Sequence, residues 1–177
     1  TNIQTDSIKD DSGTRTLASD SGSAWSWGAE VPAGTIIKTT THLSTATLTL
    51  DSASSIFETD ANDITVSCTA GNKLHIHIAG GFAYSSGHGF SFGSGMRIIE
   101  TGQSNIDVYG GGVYARSDGG NYDNDFLPSY IYTHTAVTSS VTIKGALFSS
   151  ASCTAYWEAG NNAGQGPRRY QIMEEQS

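Results

Sequence analysis

Between Val141 and Phe148 the chain alternates with a period of two. Val141, Ile143, Gly145 and Leu147 fall on one face, and Thr142, Lys144, Ala146 and Phe148 on the other. Successive side chains of a strand point to opposite faces, so this is the pattern of a half-buried strand. The preceding run, PSYIYTHTAV from Pro128, is dense in Tyr, Ile, Thr and Val, which pack well on a pleated surface. Ser139-Ser140 is a short polar break that predicts an antiparallel hairpin, and ASCTAYWE supplies a third strand ending on Tyr156 and Trp157. The stretch 128–158 is therefore expected to form consecutive strands of one antiparallel sheet. Residues upstream have to supply the layer that packs against it.

The length of 177 residues suits one domain with a modest extension, and such a chain buries roughly two-thirds of the surface its unfolded form exposes. Ser, Thr and Gly interrupt every run before three helical turns can form. Many short strands with Gly- and Ser-rich turns predict an all-β sandwich or barrel. The net charge is -8, and no basic cluster exists beyond Arg168-Arg169, which argues against a nucleic-acid partner. No apolar run approaches transmembrane length and TNIQTDSIKDDSG has no signal-peptide core, so a soluble chain without membrane insertion is expected. Cys68 and Cys153 are read as two small buried residues, although an even count permits one disulfide.

Residues 1–33 show little alternation and carry Trp25 and Trp27 between SGSA and GAEVPAG. They are expected to form an extended N-terminal arm. The paired indoles either anchor the arm on another protein or fold back on the domain's own sheet. Residues 34–177 hold eight to ten strand candidates, the spacing of a sandwich or jelly roll. IFETDAN (56–62) is expected as a turn region, Gly71-Asn72 as a turn, and Gly102-Gln103-Ser104 as a hairpin. The C-terminal run, with Tyr170, Ile172 and Glu174 alternating against Gln171, Met173 and Glu175, is expected to insert beside an early strand.

Four features invite a functional reading. His75 and His77 point the same way from one strand and could begin a metal site with His42, His88 or His134. No Cys, Asp or Glu sits at a spacing that fixes a further ligand, so they are read as lining a subunit interface, with no metal expected. Gly89-Phe90-Ser91-Phe92-Gly93 matches the nucleophile-elbow pattern, but SGMRIIETG continues as a strand where an elbow needs a helix. Gly80-Gly81 and Gly110-Gly111-Gly112 sit within strand patterns and are read as bulges or close approaches. The loop SDGGNYDNDF gathers Asp118, Asn121, Tyr122, Asp123, Asn124 and Asp125, oxygen-rich enough to consider Ca²⁺ but without EF-hand spacing. It is the segment where a receptor-facing surface is expected.

Together, the polar start TDSIKDDSGTRTL, the opening PAGTII, ITVSCTAGNKLHIHIAGG, RIIETGQSNIDVYGG, SSVTIKGALFSSASCTAYWEAGN and the closing QIMEE follow an order that resembles virion structural proteins of tailed phages, especially those of marine and cyanobacterial hosts. The resemblance covers nearly the whole chain and contains no catalytic motif. It implies a C1q/tumour-necrosis-factor-like jelly roll and a homotrimer displayed on the virion surface after assembly in the host cytoplasm. It also implies that the arm holds other virion proteins. Tyr109, Tyr114, Tyr130 and Tyr132 join His75 and His77 as trimer-interface candidates.

A non-enzymatic decoration, knob or fibre tip without cofactors is the expectation, and the alternative is a module that recognises host surface glycans. An enzyme such as a depolymerase would need paired carboxylates in a groove, and the acids here scatter across turns.

Overall fold

The computed structural model describes residues 7–9, 16–20, 25–27, 32–51, 57–86, 90–115, 124–126, 128–150, 154–158 and 167–177. Among them there is no helix. The strands are β1 (Ser7–Lys9), β2 (Thr16–Asp20), β3 (Trp25–Trp27), β4 (Ile36–Ser44), β5 (Leu48–Asp51), β6 (Phe57–Ser67), β7 (Lys73–Ala79) and β8 (Phe82–Ser86). They continue as β9 (Phe90–Glu100), β10 (Ile106–Ala115), β11 (Asn124–Phe126), β12 (Ser129–Thr135), β13 (Ser140–Ser149), β14 (Thr154–Glu158) and β15 (Arg168–Glu175).

Three four-stranded antiparallel sheets make the domain: β12-β7-β15-β4 (the first sheet), β10-β9-β13-β6 (the second) and β11-β8-β14-β5 (the third). The chain passes between the first and second sheets along β4-β5-β6, β7-β8-β9, β10-β11-β12 and β13-β14-β15. Every one of these passages donates its middle strand to the third sheet. The other end of the sandwich holds the turns 68–72, 101–105 and 136–139. We call the two poles the crossover end and the turn end. This is an antiparallel jelly-roll sandwich whose crossovers have condensed into a sheet of their own.

The strands form where the alternation predicts them. In the second sheet Ile106, Ile98, Ile143 and Ile64 stand in one cross-strand row. Across from it Leu74, Ile76, Ile78 and Ile172 project from the first sheet, and Leu50, Ala155 and Trp157 from the third, into one core. Burying such side chains contributes about 1.5–3 kcal/mol each, which is what fixes the register. Trp157 is fully buried at the junction, donates from Nε1 to Gly80 O at 3.0 Å, and lies 5.0 Å beneath the guanidinium of the fully buried Arg168. Arg168 donates to Trp157 O (2.7 Å) and Ser44 Oγ (3.1 Å), tying the third sheet to the first.

The closing strand β15 inserts between β7 and the early strand β4 as expected, and of its two alternating sets Tyr170, Ile172 and Glu174 face inward. Gly71 and Gly102 take positive φ in their predicted turns. The register of β10 slips between Tyr109 and Gly112, as the glycine run suggested. Gly80 and Gly81, also at positive φ, turn the chain out of the first sheet into the third. The Gly89–Gly93 pattern runs into one straight strand, β9, with Phe92 in the core.

Three expectations are corrected. The 128–158 stretch is not one sheet: β12, β13 and β14 belong to the first, second and third sheets, so residues 136–139 cross the sandwich rather than closing a hairpin. Alternation specifies which side chains go inward, but two strands on opposite walls of one core show the same pattern as two neighbours in one wall. Residues 57–62, expected as a turn, open β6 instead, because Phe57, Glu58 and Thr59 pair with Phe148, Leu147 and Ala146. β6 is an edge strand of the second sheet, and its register with β13 shifts at Lys144/Ala146. Ala146, expected to face outward, is fully buried; its neighbour Gly95 lies against the ring of Phe57.

Within the segment expected as an arm, β1, β2 and β3 form a three-stranded antiparallel sheet, with Ile8, Ala18 and Trp27 in one pairing row. The chain enters the jelly roll at the turn end, where Gly34 N donates to Gln176 O and Gln176 N to Thr35 O.

Candidate functional site

The outer face of the first sheet is set by register. Its four rows are Ser129-Ala79-Arg169-Leu43, Ile131-His77-Gln171-Thr41, Thr133-His75-Met173-Thr39 and Thr135-Lys73-Glu175-Ile36. Ile131 is 67% exposed and Leu43 53%. Lys, Arg and carboxylate side chains occupy only the two outermost rows. Lys73 and His75 both hold Glu175, at 3.2 and 2.6 Å, and these bonds, His75's first, keep the Glu175 carboxyl below its ordinary value. His75 Nδ1 meets Thr133 Oγ1 at 3.0 Å and His77 Nε2 meets Ser129 Oγ at 3.3 Å. The two histidines are thus committed to in-sheet partners. Among the described residues, no group of three or more His, Cys, Asp or Glu is placed to hold a metal ion.

The interface candidates do not share one surface. Tyr109 lies on the outer face of the second sheet, 60% exposed, edge-on to Phe57 (5.3 Å) and Phe148 (4.9 Å). Arg97 stacks over Phe57 at 5.2 Å while gripping Asp107 through two bonds of 2.6 and 2.8 Å. Tyr130 and Tyr132, read as trimer-interface candidates, pack inward against the core instead. Tyr130 donates its hydroxyl to Gly95 O, and its ring occupies the space where a side chain on Gly110 would stand. Burial, then the proximity of Tyr170, pushes the Tyr130 phenol well above its ordinary pKa.

For Tyr114, Trp25 and Trp27, and for Asn124 and Asp125 on β11, the strand backbone is described but the side chains lie outside the described set. Asp118, Asn121, Tyr122 and Asp123 lie outside the described residues altogether, as does Cys153. Cys68 is a free thiol, half-buried and within 3.5 Å of Thr138 O.

A buried polar constellation lies at the turn end. Glu100, last residue of β9, accepts His134 Nε2 on one oxygen at 2.6 Å. On the other it accepts Val137 N (2.9 Å), Thr138 N (2.7 Å) and Thr138 Oγ1 (2.8 Å). Burial alone opposes ionisation of Glu100, but these bonds outweigh it and hold the carboxyl below its ordinary value. Glu174 plays the matching part from the first sheet, accepting Thr69 N (2.7 Å) and Asn72 Nδ2 (2.8 Å). The sequence reading missed both glutamates. The available signal was an acid occupying an inward position at the end of an alternating apolar run, immediately before a turn.

Above the Glu100–His134 pair opens a cleft of about 200 Å³. Ile98, Ile106 and Val137 wall it, Gln103 and Ser104 supply the remaining polar lining, and His134 and Glu100 form its floor.

The fold and these surfaces define an all-β jelly-roll protein. No family model matches the chain, and no curated protein matches it. Among solved structures it is similar to a chain of infectious bursal disease virus, Gt strain, at 13% identity and a TM-score of 0.36, over 79% of this chain and 38% of that one. It is also similar to a chain of the Gx strain at 13% identity and a TM-score of 0.27, over 78% of this chain and 36% of that one. The chain therefore spans less than two-fifths of the length of these solved chains.

Proposed function

We propose that this chain is a non-enzymatic structural protein of a virion. It assembles as a homotrimer through the outer face of the first sheet and attaches to the particle through residues 1–33. One observation carries the reading. On a molecule of net charge -8, the two central rows of that face hold Ile131, His77, Gln171, Thr41, Thr133, His75, Met173 and Thr39, with no Lys, Arg or carboxylate. An exposed sheet face of low charge with isolated apolar anchors is suited to a second copy of itself, because like charges do not meet at a symmetry axis.

The order of sequence segments that resembles tailed-phage virion proteins supports the same role. The two buried glutamates described above accept hydrogen bonds from the turns that follow β6 and β12 and, for Glu100, from His134, a structural use of carboxylates that is in keeping with this reading. Since the chain enters the domain at the turn end, attachment from that side directs the third sheet outward.

Light scattering of the full chain at micromolar concentration tests the assembly, with three chain masses expected; a single chain mass argues against it. Removing residues 1–33 is expected to leave a folded trimer that no longer joins particles. Particles that still carry the shortened protein would sink the anchoring role.

A further inference from the structure

We infer that the turn-end cleft binds a single neutral hydroxylated ring, such as one sugar unit or a cyclic polyol, through His134 Nδ1. His134 is 6% exposed, and its Nε2 is taken by Glu100 at 2.6 Å. An ionised carboxylate only accepts hydrogen bonds, so Nε2 carries the proton. The other ring nitrogen, Nδ1, has no hydrogen-bond partner among the described residues. It is also not one of the buried polar atoms sealed off without a partner, so it opens to the cleft that the imidazole lines.

A hydroxyl satisfies that nitrogen by donating to its lone pair. An anion is disfavoured by the Glu100 carboxylate beside it and by the net charge of the chain. A cation finds no free acceptor oxygen on Glu100, whose two oxygens already receive four donors.

Size and walls narrow the class further. About 200 Å³ falls short of the roughly 300–1,000 Å³ that hold drug-sized ligands, and so suits one ring. Ile98, Ile106 and Val137 offer an apolar wall for the C–H face of such a ring, while Gln103 and Ser104 offer an amide and a hydroxyl to its remaining oxygens. The inference bears on the carbohydrate-binding alternative and rests on no part of the assembly proposed above. The ring is either a free small molecule or the terminal unit of a larger glycan.

Titrating the ¹⁵N-labelled full chain with free glucose, galactose, mannose, N-acetylglucosamine and myo-inositol, and separately with oligosaccharides ending in the same sugars, tests it. Saturable amide shifts confined to Gln103–Ile106 and Val137 are expected. Their appearance with free rings or only with oligosaccharides identifies the source. Replacing His134 would break the buried pair, so the control is Val137→Trp, at a side chain 58% exposed, which fills the cleft and is expected to abolish the shifts. Absence of saturable shifts with the whole panel overturns the inference. Shifts that persist in Val137→Trp overturn it as well, while leaving glycan recognition elsewhere on the molecule standing.

Discussion

Glu100 and His134 meet at 2.6 Å across the gap between the two large sheets, one at the end of β9 and the other on β12. The same carboxylate fastens the 136–139 crossing by its backbone, so one side chain ties both sheets to the turn that joins them.

Acid should loosen this end first. The folded-state pKa of Glu100 is depressed, so its contribution is complete above the unfolded carboxyl value of ~4.3 and is lost as pH falls through the lower folded value. Glu100→Gln is expected to cost roughly 1.5–3 kcal/mol at pH 7, the scale of a hydrogen bond to a charged group. Melting curves of both proteins from pH 7 to pH 3 should show the gap narrowing. A constant gap would mean that the carboxylate's charge contributes nothing.

Gly145 packs with no space to spare. A methyl group there would stand 2.5 Å from Tyr170 Oη and 3.5 Å from the Trp157 ring. Gly145→Ala is expected to destabilise by about 1–3 kcal/mol through overpacking. Adding Tyr170→Phe should recover part of that loss, so the double variant falls short of the summed single effects in urea unfolding. Strict additivity would contradict the contact.

A substitution at Ile131, on the outer face of β12, tests the proposed assembly separately from folding. Ile131→Asp places a charge in a row that has none, at a site too exposed to matter to the core. Light scattering should report a drop from three chain masses to one, with the melting transition of the subunit retained. An unchanged mass would move the interface to another face, with the Tyr109 cluster next in line.

Cys68 should behave as a sluggish thiol. Burial first, and then the charges of Glu174 and Glu100, raise its pKa, which lowers the thiolate fraction at neutral pH. In a Cys153→Ser background, the native protein should react more slowly with a disulfide reagent than the urea-unfolded chain at the same pH. Equal rates would show that the thiol is open to solvent.

Much of the sandwich was legible because strand alternation is a local signal. Ile64, Val66, Leu74, Ile76, Ile78, Val141 and Ile143 all face the core where their spacing placed them. Sheet membership was not legible, since the step from β12 to β13 looks the same in sequence whether the chain turns back or crosses over. The Glu100–His134 floor was equally hidden: the partners are 34 residues apart and meet only because two sheets stack. Tyr130 was misplaced because an aromatic within an alternating strand carries no label for inside or outside. Its orientation is decided by the small residues opposite, Gly95 and Gly110.

The third sheet gives the molecule a polarity. Its four strands lace together the four passages at the crossover end, so an insertion within any of those strands would have to break a ladder shared with its neighbours. The hairpin 101–105 sits at the other pole, with all five residues exposed, and is free of that constraint. Differences in chain length among related sequences should therefore collect in this hairpin before they collect in the strands of the third sheet.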